Sequence, residues 1–247
     1  MIKMNADISG PKIIFTIPVL NGIPVSETVI NSWAVMALIA VLCIILTRRL
    51  KTRRPGKRQI FAEFIVKKAD EFVGDIMGKK YIGFTPYILT LFVFSVFSSL
   101  TGLVGLRPPT ADLNTTLGWS IVTFVMVQAN NIRCNGIKGW IKSFSEPAAV
   151  MTPLNIVSEI ANPISMSFRH FGNIAAGVVI TTLVYAGLAS LSQAVIGGIP
   201  NVFIAGIPIF QIGLPAVLSI YFDLFTSVLQ AYIICMLTMV FVSGVSK

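Results

Sequence analysis

The chain has 247 residues, of which 55% are hydrophobic and only 12% are charged, whereas soluble domains carry about 25% charged residues. This composition and a mean hydropathy of +0.82 exclude an ordinary soluble globular protein. The 19 Lys and Arg residues outnumber the 10 Asp and Glu residues. Because the basic residues lie beside apolar runs, we expect them to face a membrane surface, and we expect no binding to nucleic acid.

The chain lacks the motifs of several enzyme classes. It contains one histidine and no GxxxxGK[ST], HExxH or GxSxG pattern, so nucleotide hydrolysis, zinc proteolysis and Ser-His catalysis each lack essential groups. Cys43, Cys134 and Cys235 are far apart in the sequence and are expected to be small buried hydrophobes. We therefore expect no cofactor, no metal site and no nucleotide site in this chain.

The first part of the chain predicts an external segment, a membrane span and a basic segment. Residues 1–28 form the external N-terminal segment, and we infer no signal peptide because Pro18 interrupts the apolar patch. A span needs about 20 mostly apolar residues, and residues 29–46 meet this requirement. Seven basic residues between Arg48 and Arg58 then indicate a cytoplasmic anchor.

Residues 47–84 are predicted as a basic cytoplasmic segment with an amphipathic helix. Between Ile60 and Met77, apolar residues recur at helical spacing and charged residues lie between them. This pattern is typical of a helix that lies on a membrane surface.

Residues 85–129 predict a helical hairpin, with spans at Thr85 to Leu106 and Leu113 to Ala129. A short turn from Arg107 to Thr110 joins the two spans. Residues 130–146 are basic again and are predicted as a cytoplasmic loop.

Residues 147–247 predict a last helical hairpin with an unusual first arm. Prolines are expected to break this arm into short pieces before an apolar stretch that ends near Leu191; they are Pro147, Pro153 and Pro163. Broken helices at membrane depth are tolerated only where protein or a water-filled cavity receives the freed backbone groups. Residues 197–208 are predicted as an external loop, and the last helix is predicted from Ile209 to Val242.

The chain is thus predicted to be an all-α integral membrane protein with about five spans. An external N-terminus and a cytoplasmic C-terminus place 15 of the 19 basic residues in the cytoplasm, as expected from the positive-inside rule. Lys3, Lys12 and Arg107 are then external. The remaining basic residue, Arg169, falls within the membrane.

Arg169 is the first candidate for a functional residue, because a charge in a spanning helix costs at least about 2.5–3.5 kcal/mol. At 100° per residue it shares one helix face with four polar or small residues: Asn162, Ser165, Asn173 and Ala176. Small residues nearby allow close approach of another helix; they are Gly172, Ala176 and Gly177. Because arginine keeps its proton, it is suited to be a fixed charge that a carboxylate meets. The alternative is that its side chain reaches a membrane interface.

Three other ionisable residues, two amides and one hydroxyl are candidates for an ion pathway: Asp223, Glu159, His170, Gln230, Asn173 and Ser165. The last helix carries a polar stripe at helical spacing: Ser219, Asp223, Thr226, Ser227 and Gln230. Asp223 is suited to ion exchange, or it only neutralises Arg169 in a static pair. Glu159 is a third acid on the cytoplasmic side, or a partly solvated interfacial one. His170 points about 100° away from the stripe and either exchanges protons or packs as a neutral side chain.

The segment PISMSFRHFGNIAAG at Pro163–Gly177 resembles the signature helix of subunit a of F-type ATP synthases. Two shorter segments agree in order and spacing, PTADLNTT at Pro109–Thr116 and LQAY at Leu229–Tyr232. The resemblance covers roughly Phe61 to the C-terminus. It implies that Arg169 is the stator arginine facing a ring of c subunits, each with one ion-binding carboxylate. It also implies two long tilted helices against that ring, and matches Ser165, Asn173, Gly177 and Gln230 to family positions.

The chain departs from the family pattern at several positions. His170 stands where many relatives have leucine, Asn162 replaces a frequent lysine, and Val178 stands where several relatives have glutamate. In the last helix, Asp223 stands where bacterial relatives often have glutamate or histidine. The resemblance then implies that Asp223 carries the outer half-channel, alone or with water and hydroxyl groups, and that Glu159 lies near the inner one.

The resemblance implies an ion-translocating stator subunit of the ATP synthase membrane sector, coupling proton or sodium flow to rotation and ATP synthesis. Its expected partners are the ring of c subunits, peripheral-stalk b subunits, the catalytic ATPase sector and membrane lipid. The expected location is a bacterial plasma membrane, or alternatively an organellar inner membrane. The basic segment 47–84 is equally suited to bind lipid or a stalk partner.

Two other functions remain open from the residues alone. In a secondary transporter, Arg169 would bind an anionic substrate between broken helices. An intramembrane protease would need a nucleophile paired with His170. No internal repeat and no nucleophile motif are visible in the sequence, which disfavours both alternatives.

Overall fold

The computed structural model describes residues 12–18, 23–48, 50–51, 56–145, 149–196 and 220–244. These residues form an all-α membrane protein preceded by one small β-hairpin. Strand β1 (Ile13–Ile17) pairs antiparallel with β2 (Ile23–Ser26), with Phe15 opposite Val25. The hairpin was not predicted from the sequence, although alternating β-branched and aromatic residues favour strands.

The first two helices agree with the sequence predictions. Helix α1 (Glu27–Thr47) includes the predicted first span. Helix α2 (Lys57–Met77) is the predicted amphipathic helix, and it buries only Val73 and Met77 while Phe61 and Phe64 stay exposed. Its apolar surface is therefore available to a membrane, and its location at the membrane surface stays a prediction.

The predicted hairpin is present, but its second arm is longer than expected. Helix α3 (Thr85–Leu100) continues as a 3-10 turn (Thr101–Val104). Helix α4 (Leu113–Ser143) begins at Asp112, whose carboxyl accepts the backbone N–H of Asn114 at 3.0 Å. The prediction of a loop at residues 130–146 was wrong up to residue 143, because the chain resumes helical geometry after a single break at Gly136. There φ is 68°, which glycine adopts without steric cost.

The prediction of short broken pieces after residue 147 was also wrong. Helix α5 runs over 45 residues (Thr152–Ile196). Pro153 lies in its first turn, where the missing N–H has no helical partner to lose. Pro163 lies inside the helix and has no N–H to donate to the carbonyl of Glu159.

The last described segment is a π-helical turn (Ile220–Phe225) followed by helix α6 (Thr226–Gly244). Residues 197–219 lie outside the described residues, and with them the predicted external loop, Ser219 and the start of the predicted last helix.

Within the described residues, four helical segments are long and apolar enough to cross a membrane: Glu27–Thr47, Lys79–Val104, Thr152–Ser192 and Thr226–Gly244. Helix α4, which contains the predicted span from Leu113 to Ala129, does not meet this composition criterion. It carries polar residues at Asn114, Thr116, Ser120 and Gln128. The count of five spans stays a prediction.

The hydrophobic core is centred on α6. Ile234, Cys235, Met239 and Val242 are almost completely buried and belong to one cluster with buried residues of α2, α3, α4 and α5. The expectation of buried cysteines holds for Cys235, whereas Cys43 and Cys134 are exposed. Cys134 nevertheless approaches the described chain, with its Sγ 3.8 Å from Tyr81 Oη.

Polar bonds fasten α1 to the turn before α4. The hydroxyl of Thr28 donates to Asp112 Oδ2 at 2.6 Å, and both side chains are buried. Asn31 Nδ2 donates to the carbonyl of Arg107 at 2.9 Å. These contacts set the first span against the α3–α4 hairpin.

Replacing Thr28 with valine should therefore destabilise the protein. The variant keeps the side-chain shape but leaves a buried carboxyl oxygen without its donor, which costs about 1–3 kcal/mol. The measurement is the free energy of unfolding in mixed micelles. Ser32→Ala is the control, because the Ser32 hydroxyl donates only to Thr28 O in its own helix, at 2.8 Å. Equal losses in the two variants would contradict a special role for the Thr28–Asp112 bond.

Candidate functional site

The predicted polar face of α5 is left uncovered by the described part of the chain. Its five members all have exposed side chains: Asn162, Ser165, Arg169, Asn173 and Ala176. The adjoining face, centred about 100° round the helix, is buried, and its members are Met166, Ser167, His170, Ile174 and Gly177. Helix α5 thus leaves all five residues of the predicted polar face exposed, Arg169 among them.

Arg169 forms no ion pair with any side chain that the structure describes. Among the described residues, the ion pair is Lys68–Glu71, in helix α2. Asp223 belongs to the π-helical turn Ile220–Phe225, but its side chain lies outside the described residues. The proposed pair between Asp223 and Arg169 is therefore untested. A guanidinium within a spanning helix needs a partner of opposite charge or a polar pathway.

The buried face of α5 is held by polar contacts. The hydroxyls of Ser167 and Thr116 lie 3.0 Å apart, and both side chains are fully buried. His170 is 1% exposed, its Nε2 lies 3.4 Å from Ser95 Oγ, and its ring packs edge-on against Trp119 at 5.5 Å. These contacts link α5 to α3 and α4, and they fix the rotation that turns Arg169 outward.

His170 therefore occupies a packed position on the buried face of α5, about 100° round the helix from Arg169. Its Nδ1 has no hydrogen-bond partner among the described residues. This placement matches the packed interpretation of His170, while a role in ion transfer stays a prediction.

Glu159 lies at a cavity of about 110 Å³ between α4, α5 and α6. Ser120, Thr123 and Asn162 supply further polar groups to the lining. The volume is enough for several water molecules, and Pro163, also in the lining, leaves the carbonyl of Glu159 without a helical N–H partner. Polar groups and space for water are thus found together beside the turns of α5 that precede Arg169.

Gln128 is a hydrogen-bond partner of Glu159 that was not predicted from the sequence. Its Nε2 donates to Glu159 Oε1, and its Oε1 accepts the indole N–H of Trp140 at 2.7 Å. The only sequence signal was a set of polar residues at helical spacing in α4: Thr116, Ser120, Thr123 and Asn130. That signal indicates a polar face of α4 but does not identify what it contacts.

The other predicted residues fall into two groups. Gln230 and Ser227 of α6 are buried. At these two positions, the polar stripe of the last helix therefore faces other described residues. At Gly172, an added methyl group would meet no described atom within 4 Å, so no described helix approaches there. Gly172 and the exposed Ala176 thus leave room beside Arg169, while Gly177 is buried.

These features define a class of protein: a multi-pass membrane protein with a cationic side chain, Arg169, exposed on a long apolar helix. The family model for the ATP synthase A chain matches residues 29–243, and the chain belongs to this family. It is accordingly an ion-translocating component of the F0 sector and works within the F0/F1 complex.

Curated relatives agree with this assignment. "ATP synthase subunit a, sodium ion specific" from Propionigenium modestum is 32% identical over 269 residues, covering 96% of this chain and 85% of the relative. ATP synthase subunit a from Moorella thermoacetica is 34% identical over 170 residues, covering 67% and 76%. That from Desulforamulus reducens is 31% identical over 222 residues, covering 88% and 78%.

The two faces of α5 should differ sharply in chemical accessibility. In a background with Cys43→Ser and Cys134→Ser, the variant Ser165→Cys should react with N-ethylmaleimide at least about tenfold faster than Ser167→Cys, because modification requires an accessible thiolate. The measurement is the labelling rate of the detergent-purified chain. Labelling after denaturation in SDS gives the total thiol content as the control. Similar rates at both positions would show that α5 does not hold the rotation described here.

Proposed function

We propose that this chain is the stator subunit that passes ions to the carboxylates of a rotating ring of c subunits. The observation that carries the proposal is the uncovered face of α5 with Arg169 at its centre. A carboxylate that passes this face in its ionised form is attracted to the guanidinium. A ring with one carboxylate per subunit supplies such a charge at each step of its rotation.

Two offset half-channels then give rotation its direction. An ion enters from outside near Asp223 and neutralises a ring carboxylate, which can then face lipid without the cost of a buried charge. After the ring has turned, the carboxylate releases its ion to the inner side. It passes Arg169 in ionised form, and the fixed positive charge opposes a direct leak of cations between the half-channels.

The cavity at Glu159 supports the inner half-channel. It combines a carboxyl group, hydroxyl groups and space for water, and it lies on α5 ten residues before Arg169. The bond from Gln128 to Glu159 holds the carboxyl group in one orientation. In this proposal, Glu159 receives an ion from the ring and passes it to the cytoplasm.

The membrane potential supplies the driving force, about 2.3 kcal/mol per elementary charge per 100 mV, together with the concentration gradient. The translocated ion is H⁺ or Na⁺. The name of the relative from Propionigenium modestum supports Na⁺ as well as H⁺, so both ions belong in any transport assay.

Removing the arginine charge should uncouple the complex. In vesicles that contain the assembled complex, Arg169→Ala is expected to abolish ATP synthesis and ATP-driven uptake of H⁺ or Na⁺, because nothing then separates the half-channels. ATP hydrolysis by the detached catalytic sector should be unchanged. Asp223→Asn should also impair transport if this acid serves the outer half-channel.

Arg133, at an exposed position of α4, provides a control for the Arg169 result. Arg133→Ala removes the same charge away from the polar face of α5 and should retain most of the coupled activity. Normal coupled synthesis in Arg169→Ala would contradict the proposal. Loss of uptake of one organic solute, with ATP synthesis intact, would identify a transporter instead.

Replacing Glu159 with glutamine tests the inner half-channel. Glutamine keeps the shape but has neither the negative charge nor the exchangeable proton, so coupled synthesis should fall by about two orders of magnitude, the lower end of the effect of losing a positioned proton-transfer group. The measurement is the initial rate of ATP synthesis at a fixed membrane potential. Glu63→Gln, a matched change at an exposed site of α2, should retain the wild-type rate. Equal rates in the two variants would remove Glu159 from the pathway.

A further inference from the structure

A second cavity, of about 430 Å³, lies where the first span ends and α2 begins. Four basic side chains line it, and no acidic side chain of the described residues does; the basic residues are Arg48, Lys51, Lys57 and Arg58. All four are exposed, and none forms an ion pair with a described residue. The cavity therefore concentrates positive charge that the described chain leaves uncompensated.

Side-chain bonds from Gln59 hold this cavity together. Gln59 Oε1 accepts the backbone N–H of Lys51 at 2.9 Å, and Gln59 Nε2 donates to the carbonyl of Lys51 at 3.1 Å. The same Nε2 donates to Glu63 at 2.7 Å. This clamp joins the segment after α1 to the first turn of α2, so two pairs of basic residues are brought to one place by tertiary structure.

The apolar part of the lining consists of Leu46 and Leu50. Next to these two leucines along the chain, the last turns of α1 expose apolar side chains, among them Val41, Ile44 and Ile45. On the other side, α2 exposes Phe61 and Phe64. A ligand for this place therefore needs an anionic group for the cavity and an apolar part for the neighbouring helices.

We propose that this cavity binds the phosphate headgroup of an anionic phospholipid, with the acyl chains along the exposed surface of α1. Basic pockets at the cytoplasmic ends of spanning helices are suited to anionic headgroups. An acidic protein segment would pair with the cations but would leave the apolar surface of α1 unused. The proposal does not depend on Arg169 or on ion translocation.

The test is the dissociation constant of the first phosphatidylglycerol molecule bound to the detergent-purified full chain, measured by native mass spectrometry. The double variant Lys57→Gln/Arg58→Gln should weaken this binding at least about fivefold, the change that corresponds to losing one basic residue near an anionic membrane surface. Phosphatidylcholine, which is zwitterionic, should bind the wild-type chain several-fold more weakly than phosphatidylglycerol.

Two further variants separate a structured pocket from a general charge effect. Lys67→Gln/Lys79→Gln removes the same charge from exposed positions of the same segment that do not line the cavity, and it should bind phosphatidylglycerol like the wild type. Gln59→Leu keeps every charge but opens the clamp, and it should bind several-fold more weakly. Equal weakening in the two double variants, or no effect of Gln59→Leu, would overturn the proposal.

The remaining outcomes identify other occupants. Displacement of phosphatidylglycerol by millimolar inorganic phosphate would show a site for free phosphate and overturn the lipid assignment. Equal affinity for phosphatidylglycerol and phosphatidylcholine would also overturn it. If, in addition, a stalk subunit copurifies with the wild type and not with Lys57→Gln/Arg58→Gln, the cavity belongs to a protein partner.

Discussion

A permanent positive charge within a spanning helix is the constraint on which the rest of this structure depends. Arg169 cannot shed its charge by losing a proton, and the bilayer makes an unpaired charge costly. The described chain leaves this side chain exposed, and no described side chain forms an ion pair with it. In the proposed function a ring carboxylate is its transient partner, and such a partner remains free to move on, which a permanent ion pair would not allow.

The outward direction of Arg169 requires that the other face of α5 be firmly held. Hydroxyl contacts and the buried imidazole of His170 provide this hold, through Thr116, Ser95 and Trp119. Apolar packing alone tolerates rotation of a helix, because one apolar side chain can replace another. Buried polar groups do not, since each loses its hydrogen bond when the helix turns. His170, which stands where many relatives have leucine, thus helps to orient α5 from its buried face.

Helical periodicity made much of the fold predictable. The first span, the amphipathic helix and the shared face of Asn162, Arg169 and Asn173 all follow from apolar and polar residues recurring at about 3.6 positions. Prolines and charges were less informative. A proline in the first turn costs a helix nothing, so Pro153 did not mark a break, and basic residues after Ala129 indicated a loop where the helix continues to Ser143. The β-hairpin was missed because its strands are only five and four residues long.

The sequence by itself determined that the protein is a membrane protein, predicted that Arg169 lies within a span, and identified which residues lie beside that arginine on one helix face. These properties depend on composition and on neighbours within a few turns. Only the tertiary structure decided which face stays uncovered, that Gln128 holds Glu159 beside a cavity, and that four basic residues from the end of α1 and the start of α2 share one pocket. Each of these depends on side chains brought together from different helices, and local periodicity carries no information about such contacts.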